Sequence, residues 1–186
     1  MTSRASVEGR GTLRLFFGLP LPAAAAERLA AWQEDALGGI RGVRAVPSAH
    51  LHVTLAFLGA RPAAELECLR LALHEAAVGA QRPVLRPVRY RETARVAMIV
   101  CDDEDGRAAR FQRRLSDLLE RLDVYRPEAR PWLAHVTVAR FGARPRLRPA
   151  LPALGNVSPS DAALYHSLLR PDGAQYTILE AAALGG

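Results

Sequence analysis

Apolar residues alternate with polar ones, or recur every third or fourth position, along most of the chain. The two periods sort it into strands and helices. Thr12–Leu19 reads as a strand. Pro22 opens a helix that carries Ala25, Leu29 and Trp32 on one face, and Gly38 and Gly39 end it. Val43–Val46 is a short extended piece leading into "LHVTLAFLGARP" at 51–62. Leu66, Leu69, Leu73 and Ala76 recur at helix spacing within 63–79. Pro83–Glu92 and Arg95–Cys101 read as a strand pair. The acidic turn at 102–106 leads into a second long amphipathic helix marked by Phe111, Leu115, Leu118 and Leu122. A third extended segment, 133–141, is followed by a proline-rich loop. Ala162–Leu169 and Gln175–Leu179 then read as strands, joined by "RPDG" with its turn chemistry.

The order is strand, helix, strand, helix, strands, helix, strands. That predicts an α+β fold with two similar halves. Nothing in the pattern marks a linker. The expectation is therefore a single bilobal domain over residues 1–186, with residues 1–11 as a flexible tail.

The halves are similar in letters as well. "LHVTLAFLGARP" at 51–62 and "AHVTVARFGARP" at 134–145 coincide at eight of twelve positions when the chain is slid by 83 residues. On a strand, residues two apart share a face. Leu51, Val53, Leu55 and Phe57 form an inward row in the first copy, as Val136 and Val138 do in the second. His52 with Thr54, and His135 with Thr137, then project from the other face, about 7 Å apart within each pair. Gly59 and Gly142 recur because both strands end in turns. No packing reason makes His and Thr recur on otherwise apolar strands.

Two such pairs facing one another form a four-point cradle. An imidazole changes charge near neutral pH. One can take a proton from water while the other gives one to a leaving oxygen, each transfer contributing about 10²–10⁴-fold. The hydroxyls can donate to anionic oxygens. A phosphodiester fits this arrangement, with neither metal nor covalent intermediate. Zinc is the rival reading: His50 and His52 on one strand face with His135 as third ligand. His50, however, corresponds to Leu133 in the second copy, whereas both threonines are repeated.

Composition narrows the setting. The chain carries 25 basic residues, all arginine, against 19 acidic ones, for a formal charge of +6. An anionic partner suits this balance. With no lysine, no lysine nucleophile exists. Two cysteines, Cys68 and Cys101, in unrelated contexts imply no disulfide framework and suit a reducing cytoplasm. The stretch "LRLFFGLPLPAAAAERLA" imitates a signal peptide, but its prolines and Arg14 suit a strand followed by a helix. No apolar run spans a membrane. The arginines at 82–95 and 144–148 read chiefly as solvated surface.

"HVTLAFLG" and "HVTVAR" resemble the paired signatures of the two-histidine phosphoesterases, and in particular the LigT-like RNA 2′,3′-cyclic phosphodiesterases, also called 2′–5′ RNA ligases. "RLFFGLPLP" at 14–22 and "LYHSLLRPDGAQYTIL" at 164–179 resemble that family's opening strand and closing hairpin. The resemblance implies two pseudo-symmetric lobes of mainly antiparallel sheet, helices outside and a central cleft. It implies metal-independent hydrolysis of RNA 2′,3′-cyclic phosphate ends to 2′-phosphates, with reverse 2′–5′ ligation. His52 would be the proton donor and His135 the acceptor, with Thr54 and Thr137 on the phosphoryl oxygens. Arg140 would contact phosphate and Phe57 would line the nucleotide pocket. No cofactor or metal is implied. The implied partners are RNA ends, tRNA fragments or small cyclic nucleotides. A monomer is the default expectation, since the sequence carries no signal of oligomeric state. A nucleotide-binding module without turnover is the other reading of the same fold. Strict alternation puts Phe57 and Arg140 on the core face, so their roles require a bulge at the strand end. The family often has Pro where Ala134 stands and Asn where His50 stands.

Overall fold

A computed structural model describes residues 11–170 and 173–185. Its elements follow the sequence pattern closely. They are β1 (Thr12–Pro20), α1 (Ala23–Leu37), β2 (Val43–Ala45), β3 (His52–Pro62), α2 (Leu66–Ala77), β4 (Arg86–Glu92), β5 (Val96–Asp102), α3 (Arg107–Arg121), β6 (His135–Phe141), β7 (Asp161–Arg170) and β8 (Gly173–Ala183). Short 3₁₀ turns at Ser48–His50 and Ala63–Glu65 precede β3 and α2. Pro22 stands just outside α1 as its N-cap, and Gly38 closes it by donating its N–H to Glu34 O. Of the expected tail, residues 1–10 lie outside the described residues. Gly11 is tied down, because its carbonyl accepts from Ala63 N at 2.9 Å.

The strands form one antiparallel sheet in the order β4-β5-β6-β3-β1-β7-β8, with β2 on the free part of β6. Each motif strand pairs with the strand that opens its own half: β3 with β1 and β6 with β5. The halves meet where β3 lies against β6. One face of the sheet carries Leu15, Phe17, Leu19, Val53, Leu55, Val136 and Val138. These pack with Leu29 of α1, Leu69 and Leu73 of α2, and Leu115 and Leu119 of α3 in a single core. The helices cover this face, so the motif histidines are left on the other.

Candidate active site

Val53 of β3 faces Val136 of β6 across the seam. These two residues are 83 apart, so they are the same position in the two copies. Equivalent residues opposed in antiparallel strands mark a local two-fold axis. One step to either side, the register sets His52 across from Thr137 and Thr54 across from His135. The repeat and the pairing together build the cradle.

The two strands share a burial sequence. Residues 52–57 run half-buried, buried, half-buried, buried, buried, exposed, and residues 135–140 repeat it. The doubled buried step is a bulge. In the β1–β3 pairing Leu55 is the extra residue, and in the β5–β6 pairing it is Val138, again 83 residues on. A bulge shifts the phase of the side chains beyond it. Phe57 and Arg140 therefore return to the histidine face. The expected inward row of the first copy is corrected at Phe57, which is 49 % exposed rather than core.

A bulge leaves its extra residue without a ladder partner. Here two helix glutamines act in place of the ladder. Gln33 of α1 donates to Val138 O, which also accepts from Val46 N at 2.9 Å. Gln112 of α3 donates to Leu55 O at 3.3 Å. Trp132 adds a bond from its indole N–H to Thr54 O at 3.0 Å, linking the approach to the second motif with the first motif strand.

The histidines are held alike. Nδ1–H of His52 donates to His50 O at 2.7 Å, and Nδ1–H of His135 donates to Leu133 O at 2.8 Å. In each ring Nε2 is then the nitrogen left for other partners. Nε2 of His52 accepts from the Thr54 hydroxyl at 3.1 Å. Their surroundings differ. Phe16, Tyr165 and Tyr176 place ring centroids 4.9, 5.5 and 5.5 Å from that of His52. This aromatic wall comes from β1 and the β7–β8 hairpin, and no equivalent stands in the second half among the described residues. Burial pushes His52 down from 6.5 to about 4. The bond to His50 acts the other way, and positive charge on Arg140, His135 and His50 adds to the lowering. By itself, the protein holds His52 neutral at pH 7.

A cavity of about 410 Å³ opens on this face, lined by His52, Thr54, Phe57, Thr137 and Arg140, with Arg14 at its edge. His135 is half-buried and is not among the residues that line this cavity. The Arg14 guanidinium lies 4.9 Å over the Phe57 ring. Arg140 is exposed and reaches the Tyr176 hydroxyl at 3.4 Å. His50 ends the 3₁₀ turn instead of standing on β3, and its Nε2 accepts from Tyr176 N at 3.4 Å. Among the described residues no three His, Cys, Asp or Glu side chains are gathered as a metal would need. Tyr165 and Ser167 take the cleft side of β7, which puts His166 on the other side. The sequence reading missed Arg14, Arg44, Phe16, Tyr165 and Tyr176. Their signal was alternation within β1, β2, β7 and β8, legible only once the cleft face was known.

Residues 19–86 match the family described as LigT like Phosphoesterase. An RNA 2′,3′-cyclic phosphodiesterase of Thermus thermophilus is 33 % identical over 190 residues, which cover 94 % of this chain and 91 % of the relative. A crystal structure from the same organism superposes with a TM-score of 0.78 at 30 % identity, covering 94 % of this chain and 99 % of that one. Escherichia coli LigT complexed with 3′-AMP shares the fold, with a TM-score of 0.81 at 24 % identity over 94 % and 99 % of the two chains. The chain belongs to the LigT-like phosphoesterase family. No helix among the described residues is long and apolar enough to cross a membrane.

Proposed function

We propose that this chain hydrolyses 2′,3′-cyclic phosphate ends of RNA, or of nucleosides, to 2′-phosphates, without a metal. The observation that carries the reading is the facing pair Val53 and Val136, which sets each motif histidine opposite the other motif's threonine. The phosphoryl group sits between the strands. The Thr54 and Thr137 hydroxyls, with Arg140, donate to its non-bridging oxygens. His135 takes a proton from water as the water oxygen bonds to phosphorus. The bond from phosphorus to O3′ breaks, and His52 supplies the proton that O3′ needs. Proton exchange with solvent then restores both rings. With a 5′-hydroxyl in place of water, the same displacement breaks the bond to O3′ and joins the ends through a 2′–5′ bond.

His52 is neutral before substrate binds and must be charged to donate. An anionic phosphate brought against it offsets the Arg140 charge and favours the imidazolium. The site thus loads its acid when substrate arrives. The free thiols Cys68 and Cys101 suit a reducing compartment, and we place the reaction in the cytoplasm.

The test follows a 2′,3′-cyclic nucleotide by phosphorus NMR. Conversion to the 2′-monoester is expected in metal-free protein under strong chelation. Binding without any monoester signal, or equal conversion by a His52→Ala/His135→Ala variant, rejects the enzyme reading in favour of a binding module. Loss of activity on chelation, restored by zinc, rejects the metal-free mechanism.

A further inference from the structure

Phe57 and Arg140 lie at opposite ends of the cleft, because the local two-fold axis at Val53 and Val136 runs β3 and β6 in opposite directions. The ends differ chemically. One presents an aromatic ring under a guanidinium. At the other, Arg44 of β2 pairs directly with Arg140 of β6 in antiparallel register. Like charges placed directly opposite on neighbouring strands repel. Among the described residues, no carboxylate lies within salt-bridge distance of either arginine. Both are exposed, and both line the reaction cavity and a second one of about 220 Å³ beside it. That second cavity continues past Pro47 and Gln175, with His50 and Tyr176 in the shared wall. The two cavities form one groove with two guanidinium groups at their junction, neither of them compensated among the described residues. One phosphate in the cradle occupies Arg140 and leaves Arg44 unmatched.

We propose that Arg44 binds a second phosphate of the substrate, so that the site is built for a cyclic end carried on a further phosphate. This rests on the function proposed above. The shared chemistry is a phosphate on O5′ of the terminal nucleotide. Its source is either the internucleotide link of an RNA chain or a 5′-monophosphate. The base takes the Phe57 end, the cyclic phosphate the cradle, and the second phosphate the Arg44 end. A guanidinium suits this role because its fork can hold two phosphate oxygens at once.

The experiment compares three substrates with the same base: a nucleoside 2′,3′-cyclic phosphate, its 5′-phosphorylated form, and a dinucleotide ending in the cyclic phosphate. The wild-type protein should favour the second and third by about tenfold or more in kcat/KM. Arg44→Gln should lose that advantage, bringing the three substrates to nearly the same kcat/KM. Arg44→Lys should recover part of it. A gain for the dinucleotide alone assigns the internucleotide link as the source. A parallel arm measures affinity for the dinucleotide 2′-phosphate against the nucleoside 2′-phosphate. There Arg44→Gln should weaken only the dinucleotide and reduce its salt slope by about 0.7. Equal wild-type rates on all three substrates, or an advantage that persists in Arg44→Gln, overturns the proposal and leaves the hydrolysis intact. If none is hydrolysed, the hydrolysis reading fails, and the binding arm alone decides Arg44. No difference between the two ligands there overturns it.

Discussion

The side-chain amide of Gln33 donates to the carbonyl of Val138, the extra residue of the β6 bulge. The bond reaches from the helix layer to the backbone of the motif strand. The bulge is what turns Arg140 outward, so a core glutamine sets the aim of the arginine proposed to contact phosphate. Gln33→Leu leaves Val138 O with only the Val46 N–H and also removes the bond that Gln33 donates to Val46 O at 3.0 Å. Stability should fall by about 1–3 kcal/mol. KM for the cyclic phosphate should rise several-fold as Arg140 loses its fixed position. Thermal unfolding and steady-state kinetics measure the two effects. A stability loss with KM unchanged would show that the bulge holds without its helix bond.

If His52 and His135 work on one phosphorus atom, removing either should stall the whole transfer. His52→Ala and His135→Ala are each expected to lower kcat by about 10²–10⁴-fold. The double variant should be scarcely worse than the poorer single, because the two act as a unit. Multiplicative losses in the double variant would mean that the two rings act in separate steps.

The sequence was most informative where local physics decides. The amphipathic helix around Phe111, Leu115 and Leu118, the hairpin of β4 and β5, and the repeated His-x-Thr strands all stand where their periods place them. Alternation failed at Leu55 and Val138, since a bulge is a property of the pairing and not of one strand. It sent Phe57 and Arg140 inward, and the family resemblance was needed to question that. The aromatic wall around His52 was not legible at all. Phe16 and Tyr176 lie 160 residues apart in sequence and meet only through the strand order, with ring centroids at 5.0 Å. The difference between the two histidines follows from that meeting.

Burial holds His52 at about 4, below its ordinary 6.5. The ring resonances of His52 should titrate near pH 4 in the ligand-free protein, and binding of inorganic phosphate should move the midpoint upward. The sign for stability follows. Between pH 6.5 and 4 the unfolded chain takes up a proton that the folded chain refuses. Stability therefore falls as pH drops through that interval and levels off below it. At 1.36 kcal/mol per pH unit the loss is at most about 3 kcal/mol, reduced by the solvent that still reaches the ring. His52→Gln should lack this slope. NMR titration and denaturant unfolding at stepped pH measure both. A midpoint at 6 or above would contradict the burial argument.

Glu92, at the end of β4, supplies the opposite case. Its carboxylate is 1 % exposed. It accepts from the Tyr90 hydroxyl at 2.9 Å, Arg144 Nε at 3.0 Å, Arg146 N at 2.9 Å and Leu147 N at 2.7 Å. Burial alone would raise its pKa. The donors, led by Leu147 N, outweigh burial and hold it below the ordinary carboxylate value. One buried charge thereby anchors the proline-rich loop after β6, where Arg146 adopts a positive φ of 60°. Glu92→Gln turns an acceptor into a donor among donors and should cost about 1–3 kcal/mol. A group with a lowered folded pKa stabilises fully above its unfolded value, about 4.3, and loses that contribution as pH falls through the folded one. The acid loss from Glu92 therefore lies below the His52 interval, and stepped-pH unfolding separates the two. In Glu92→Gln, limited proteolysis should cut first within 143–150, while the rate on a cyclic nucleotide stays within about twofold of wild type. Cleavage elsewhere first, with that loop protected, would show that the anchor lies outside Glu92.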